Sequence, residues 1–209
     1  SGPSMQLYRR LEYGDLASLT LLDTRQYRTP QVDGPAFQPN GPEAYDPSRT
    51  LTGPAQERWL LDGLASSSSR WNVVAQQVYM AAIDLAPGPG QAFNTDKWDG
   101  YPAARGRITR FLRDARPRNP VVLSGDVHAA MVNGVTVDNA PDGEVVATEL
   151  LGSSVTSAKG NNAQFEAALP ENPQVRYYNG RQRGYLSCTV TPDTWTADLW
   201  FVDDVRLAD

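Results

Sequence analysis

The order of apolar and polar positions predicts strands and helices that alternate along the first part of the chain. Residues 7–13 and 15–23 have the short-period pattern of two strands, with a turn between them. A long loop rich in proline and glycine follows over 29–54. A helix then begins at Pro54, since proline fits the first turn of a helix, and it ends in the serine run 66–69.

A second round of strand, loop and helix comes next. Residues 71–80 are predicted to form a central strand, and 84–95 form another loop rich in glycine and proline. A helix begins at Pro102 and carries apolar residues at helical spacing as far as Ala115. The β-branched run from Pro120 is typical of a buried strand. This alternation predicts a layered α/β fold.

The last third of the chain is predicted to contain fewer helices. Residues 144–151 form a strand, and 158–183 are irregular and polar except for a short helix at 163–169. Two alternating runs, 185–191 and 195–202, flank a short turn and predict an antiparallel hairpin. We therefore expect a mixed sheet, flanking helices and a carboxyl-terminal hairpin.

The composition limits the number of domains and the kinds of partner and cross-link that the chain can have. The 209 residues are enough for a single domain spanning 1–209, and the net charge of −5 argues against a nucleic-acid-binding surface. The single cysteine, Cys188, excludes an internal disulfide and is predicted to pack on the apolar face of the hairpin. Neither a membrane-spanning run nor a signal peptide is predicted. Residues 1–4 are predicted to be a linker or a cut end.

The strongest candidate for chemistry is the end of the strand that starts at Pro120. Gly125 allows a sharp turn, and Asp126 and the only histidine, His128, follow it at the edge of the sheet where ligands bind. A carboxylate and an imidazole in this position suit a metal ion. The alternative is that Asp126 caps the turn and that His128 is a hydrogen-bonded core residue.

Two other segments carry candidate residues. Asp23 and the arginines after it, including Arg25, form either an anion-binding corner or a salt-bridged turn. Asp96 and Asp99 are either ligands for metal or substrate or, for Asp99, a charge that favours the start of the next helix. The sequence contains no Cys-x-x-Cys, Gly-x-Ser-x-Gly, Walker or dinucleotide-binding motif.

Four blocks of sequence resemble the PhoD-like alkaline phosphatases, in the same order and at similar spacing, and a short fifth block before the last hairpin also fits. The blocks are Asp-Thr-Arg-Gln-Tyr-Arg (23–28), Trp-Asn-Val-Val-Ala-Gln-Gln-Val (71–78), Trp-Asp-Gly-Tyr-Pro (98–102), Ser-Gly-Asp-Val-His (124–128) and Arg-Gly-Tyr (183–185). The resemblance extends from about residue 7 to 205. It implies a calcineurin-like metallophosphatase fold, a βαβ sandwich of two sheets with helices outside. It also implies an alkaline phosphatase or phosphodiesterase that releases phosphate from monoesters and diesters through a metal-activated hydroxide.

The resemblance also implies roles for individual residues. His128 and Asp126 would be metal-contacting and catalytic residues, with Arg25 as a third catalytic residue. Arg25, Asp99 and Tyr101 would bind the substrate. The family's metals are Fe³⁺ and Ca²⁺, and its members are exported, which implies a secreted, periplasmic or cell-surface location.

One departure from the family pattern changes the expectation for activity. The family's Gly-Asn-His motif is absent, so the sequence resembles only the carboxyl-terminal half of the metallophosphatase domain. Most metal ligands would lie in the amino-terminal half, and the isolated chain is expected to be inactive or weakly active. A separate amino-terminal half or a second copy would complete it. The alternatives are a non-catalytic anion-binding or interaction module derived from the fold, and an unrelated hydrolase that uses His128, Asp126 and a serine such as Ser153.

Overall fold

The computed structural model describes residues 5–158 and 162–206, and the predicted linker over residues 1–4 lies outside them. In these two ranges the strands are β1 (Arg9–Tyr13), β2 (Ala17–Leu21), β3 (Phe37–Gln38), β4 (Trp71–Val78), β5 (Phe93–Asn94), β6 (Pro120–Gly125), β7 (Ala130–Thr136), β8 (Val145–Leu151), β9 (Val175–Asn179), β10 (Arg183–Val190) and β11 (Trp195–Val202). The α-helices are α1 (Pro54–Ser66), α2 (Pro102–Ala115) and α3 (Asn162–Ala168).

A seven-stranded mixed sheet forms the centre of the molecule, in the order β1-β2-β4-β6-β8-β7-β9. Strands β2, β4, β6 and β8 are parallel, while β1, β7 and β9 run antiparallel to their neighbours. Helix α1 connects β2 to β4 and α2 connects β4 to β6, as parallel pairs require. The predicted α/β fold, with a mixed sheet and flanking helices, is confirmed.

Both long helices begin where the sequence predicts. Pro54 and Pro102 occupy the first turns of α1 and α2. Gly53 precedes α1 with a φ of 76°, and a Cβ there would lie 2.9 Å from Cβ of Tyr27, so this tight entry requires glycine. The entry holds the loop after β2 against the start of α1.

The two faces of the large sheet are buried to different extents. One cross-strand row is almost fully buried and consists of Thr20, Val74, Val122, Glu149 and Asn133. This face packs against α1 and α2 in an apolar cluster that includes Leu60 and Ile108. The next row faces the other way and consists of Leu21, Ala75, Leu123, Leu150 and Val132, all half-buried except Leu150. The second face is therefore only partly covered.

The carboxyl-terminal hairpin of β10 and β11 crosses this second face. At one end the Gly184 amide donates to the Ser154 carbonyl at 3.1 Å. At the other end Trp71 Nε1 donates to the Thr191 carbonyl at 2.8 Å, and the Trp71 ring packs edge-on against Trp195. The hairpin prediction is confirmed. The packing role predicted for Cys188 is wrong, because the residue is exposed.

Two strands of the large sheet were not expected from the sequence, and the two-residue strands β3 and β5 lie inside segments predicted to be loops. Strand β7 contains Asn133 and Gly134, a pair that favours turns, yet it lies fully within the sheet between β8 and β9. Gly134 packs against Val145 of β8, where a Cβ would lie 3.0 Å from Val145 Cγ2. Strand β9 lies in the segment predicted to be irregular, and it forms because it pairs with the edge of β7. The short helix predicted at 163–169 is confirmed as α3.

Candidate active site

The carboxyl ends of the parallel strands bring candidate residues together at one edge of the sheet. The loop after β2 carries Arg25, and the turn after β6 carries Asp126 and His128. The segment before α2 carries Asp96 and Lys97, whose side chains meet those of the other two segments. Ligands commonly bind at this edge of an open α/β sheet.

The carboxylate of Asp23 shapes the corner after β2. Its Oδ1 accepts hydrogen bonds from the amides of Arg25 at 2.8 Å and Gln26 at 3.0 Å. Gln56 of α1 holds the Asp23 backbone from the other side, at 2.7 Å to the amide and 2.8 Å to the carbonyl. Asp23 therefore orders the backbone of the corner and leaves the Arg25 guanidinium free to reach across the sheet edge.

Asp96 is the point where the cationic side chains meet. Its Oδ1 accepts hydrogen bonds from Arg25 Nη1 at 2.8 Å, Arg28 Nη1 at 2.6 Å and Gln31 Nε2 at 2.6 Å. Lys97 Nζ donates to its Oδ2 at 2.9 Å. Partial burial raises the pKa of Asp96, but the hydrogen bonds from Arg25, Arg28 and Lys97 outweigh it and hold this pKa well below its ordinary value.

Asp126 is the second anion of this group, which we call the edge cluster: Arg25, Arg28, Lys97, Asp96 and Asp126. Asp126 accepts hydrogen bonds from Arg25 Nη2 at 3.3 Å and from Lys97 Nζ. Three positive and two negative side chains leave one net positive charge. The Arg25 side chain is 38% exposed, so an anion in solution has access to this charge.

The turn after β6 has an unusual backbone. Asp126 and His128 have φ angles of 74° and 58°, in the left-handed region that residues other than glycine rarely adopt. The Val127 amide bonds the Gly125 carbonyl at 3.0 Å and closes the turn tightly. Strain of this kind persists only where the surrounding structure enforces it, and it is common at functional sites.

The imidazole of His128 is held by the backbone. Its Nδ1 lies 2.7 Å from the Ala158 carbonyl, which can only accept a hydrogen bond, so this nitrogen carries a hydrogen. In the neutral ring Nε2 then keeps its lone pair. Histidines that bind metals commonly have this arrangement, with the second nitrogen bonded to a carbonyl or carboxylate.

The described residues do not make a complete metal centre. Within residues 5–158 and 162–206, no group of three histidine, cysteine, aspartate or glutamate side chains is placed to hold an ion. Asp126 is paired with Arg25 and Lys97 instead. The orientation of His128 fits one metal ligand, and the remaining ligands of a metal site would have to come from outside these residues.

The other two predicted substrate residues, Asp99 and Tyr101, are engaged in hydrogen bonds with the protein itself. Asp99 is fully buried, and its Oδ1 accepts a hydrogen bond from Arg105 Nη1 at 2.6 Å. Burial raises the pKa of Asp99 despite the opposing effect of Arg105. The Tyr101 hydroxyl donates to the Thr29 carbonyl at 2.7 Å, and burial raises the pKa of that hydroxyl. This geometry favours a role in packing for both, and their binding role stays a prediction.

Other residues show what the sequence missed. Lys97 enters the edge cluster although no motif singled it out; its position beside Asp96 was the available signal. Ser153, the nucleophile of the alternative hydrolase, donates its hydroxyl hydrogen to the Gln182 carbonyl at 2.9 Å. That hydrogen bond engages the serine with the backbone and does not activate it.

The chain is similar in sequence and in structure to known phosphatases. A family model described as PhoD-like phosphatase matches residues 1–199. The chain is 43% identical over 203 residues to alkaline phosphatase D of Bacillus subtilis (strain 168), covering 95% of this chain and 34% of that protein. A solved structure described as "Structure of PhoD" matches at a TM-score of 0.87 and 42% identity, covering 95% of this chain and 38% of the other. The chain thus spans about a third of the length of the curated relative.

Among the described residues, no helix combines the length and apolar character needed to cross a bilayer.

Proposed function

Because the chain belongs to the PhoD-like phosphatase family, we propose that it supplies part of the active site of a phosphoric ester hydrolase of the alkaline phosphatase and phosphodiesterase type. The observation that carries the proposal is the edge cluster, whose net positive charge lies beside the strained turn with His128. The substrates would be phosphate monoesters and diesters, whose negatively charged oxygens match this charge.

Arg25 is the residue best placed to contact a phosphoryl group. Its guanidinium uses Nη1 and Nη2 to contact two different carboxylates, those of Asp96 and Asp126. A phosphoryl group could take the place of one carboxylate and accept the same paired hydrogen bonds. Positive charge fixed in this place would stabilise the charge that develops on the phosphoryl oxygens during hydrolysis.

Metal ions are part of the proposal, with Ca²⁺ and Fe³⁺ as the ions implied by the family resemblance. His128 Nε2 is the atom of this chain that would contribute to such a site, and the Asp126 carboxylate, which pairs with Arg25 and Lys97, is the second candidate. A bound metal ion would supply an activated water and neutralise phosphoryl charge. Ligands beyond these two must come from elsewhere.

The isolated chain is expected to be inactive or weakly active. Leu21, Ala75 and Leu123 lie on the partly covered face of the sheet, which in a longer protein would be covered by other elements. The relatives are about three times as long, which supports an amino-terminal segment as the missing cover, supplied by the same or a separate chain. A second copy of this chain is the alternative.

The same resemblance supports an exported enzyme, located outside the cell, in the periplasm or on the cell surface. Its relative in Bacillus subtilis is named alkaline phosphatase D. Fractionation of the native producer, with detection by an antibody to this chain, tests the location. Recovery in the cytoplasmic fraction alone would reject it.

A hydrolysis assay tests the proposed function. We expect the chain to hydrolyse p-nitrophenyl phosphate only when mixed with the amino-terminal segment of a longer family member, with metal bound in the mixture by elemental analysis. Arg25→Gln should lower activity of that mixture at least tenfold, whereas Arg206→Gln, a substitution of a surface arginine paired with Asp204, should leave it unchanged. Full activity of the isolated chain without metal would refute the proposal.

A non-catalytic anion-binding module is the second candidate. It is favoured by the incomplete set of metal ligands among the described residues and by the intact edge cluster. Calorimetry with inorganic phosphate distinguishes the two: binding that depends on Arg25, without hydrolysis in any mixture, would establish the module.

A further inference from the structure

Glu149 is a buried carboxylate to which neither the sequence motifs nor the proposed mechanism assigns a role. It lies on β8 in the centre of the sheet and is fully buried. Its Oε1 accepts hydrogen bonds from the Met80 amide at 2.6 Å and the Ser124 hydroxyl at 2.7 Å. Its Oε2 accepts from the Ala81 amide and from Asn133 Nδ2, both at 3.0 Å. The carboxylate is therefore saturated by four donors.

These donors surround the strained turn on both sides. Ser124 immediately precedes Gly125, where β6 ends and the turn begins. Asn133 lies on β7, the strand that begins directly after the turn. The same carboxylate thus ties the strand that enters the turn to the strand that leaves it, and it ties both to the segment that follows β4.

We propose that Glu149 is a positioning residue that enforces the backbone of the Gly125–His128 turn and so orients the His128 ring, a role that rests on the proposed function for its catalytic meaning. The left-handed conformations of Asp126 and His128 need an external constraint, and Glu149 supplies it at both flanking strands. Ser124 connects Glu149 to the strand that enters the turn. Its hydroxyl also accepts a hydrogen bond from Gln76 Nε2 at 2.7 Å, which fixes the position of the Ser124 side chain.

Glu149→Gln is the most direct test, because it preserves shape and removes one acceptor. Each carboxylate oxygen accepts a hydrogen bond from one backbone N–H. In either orientation the glutamine NH₂ group therefore faces the backbone N–H of Met80 or of Ala81, and that hydrogen bond is lost. The matched control is Glu57→Gln. Glu57 is also buried, but it pairs with Arg107 of α2 rather than with the strands that flank the turn.

His128 provides a readout that does not depend on activity. It is the only histidine, so the proton on its Cε1 gives one assignable nuclear magnetic resonance signal in the intact chain. We expect Glu149→Gln to displace this signal by more than its linewidth and Ser124→Ala to displace it less, while Glu57→Gln leaves it in place. An unmoved signal in folded Glu149→Gln, or an equal displacement in Glu57→Gln, would overturn the proposal.

Stability and activity are measured on the same variants. If Glu149→Gln does not fold by circular dichroism, Ser124→Ala decides: a displaced signal supports the positioning role and an unmoved signal rejects it. In the active mixture with the amino-terminal segment, Glu149→Gln should lower kcat about tenfold to a hundredfold and change KM less than about twofold. If the wild-type mixture were inactive, the proposed function would be refuted. The position of the His128 signal in the variants would still test the positioning role of Glu149.

Discussion

Asp96 and Asp99 are three residues apart, yet the structure gives their carboxylates opposite environments. Asp96 lies at the accessible edge of the sheet and receives hydrogen bonds from Arg25, Arg28 and Lys97. Asp99 has no exposed surface and has one cationic partner, Arg105. The comparison shows that three cations around a partly buried carboxylate lower its pKa, whereas one cation does not offset the effect of full burial.

Breaking the buried pair should have the largest effect. Arg105→Leu leaves the Asp99 carboxylate buried without its cation, and we expect the free energy of unfolding to fall by about 3–5 kcal/mol at neutral pH. Urea denaturation followed by circular dichroism measures it. Arg110→Leu on the same helix is the control, because its pair with Asp138 is exposed and should contribute less than about 1 kcal/mol. Equal losses in the two variants would contradict the comparison.

The pH dependence of stability should differ in sign between the two aspartates. The pKa of Asp96 is lowered on folding, so its stabilisation is present above the ordinary value of 3.8 and is lost as the pH falls below it. The pKa of Asp99 is raised, so its contribution is largest below 3.8 and is lost as the pH rises through its folded pKa.

Urea denaturation of Asp96→Asn and Asp99→Asn from pH 3 to pH 7 tests this difference. The stability advantage of the wild type over Asp96→Asn should grow as the pH rises above 3, while its advantage over Asp99→Asn should shrink as the pH rises from 3.8. Parallel curves for the two variants would show that the aspartates do not differ in this way.

The smallest effect on stability is expected at Arg25. Its side chain is 38% exposed, so Arg25→Gln should lower the free energy of unfolding by less than about 1 kcal/mol. The same substitution should abolish most phosphate affinity, measured by calorimetry in low salt, because it removes the paired donors. If the variant bound phosphate normally, or lost several kcal/mol of stability, the role of Arg25 would be structural and not phosphate binding.

Much of the fold followed from local pattern, but strands β7 and β9 of the large sheet did not. The local sequence specifies the apolar strand β6, the two helices that begin at proline and the terminal hairpin. Strands β7 and β9 lack such a signal. Asn133 and Gly134 favour a turn, and β7 forms because Asn133 bonds Glu149 and Gly134 fits closely against Val145. Contacts distant in sequence outweighed the local preference.

For the candidate site, the sequence by itself determined which residues follow the strands: Arg25 after β2, and Asp126 and His128 after β6. Tertiary structure alone decided that Lys97 joins them, that Asp99 is withdrawn into the core, and that Glu149 ties together the strands on either side of the turn. The physical reason is that strand ends are set by backbone hydrogen bonds and local periodicity. The partner of a charged side chain depends instead on which distant segment lies within about 3 Å of it and how much water remains there.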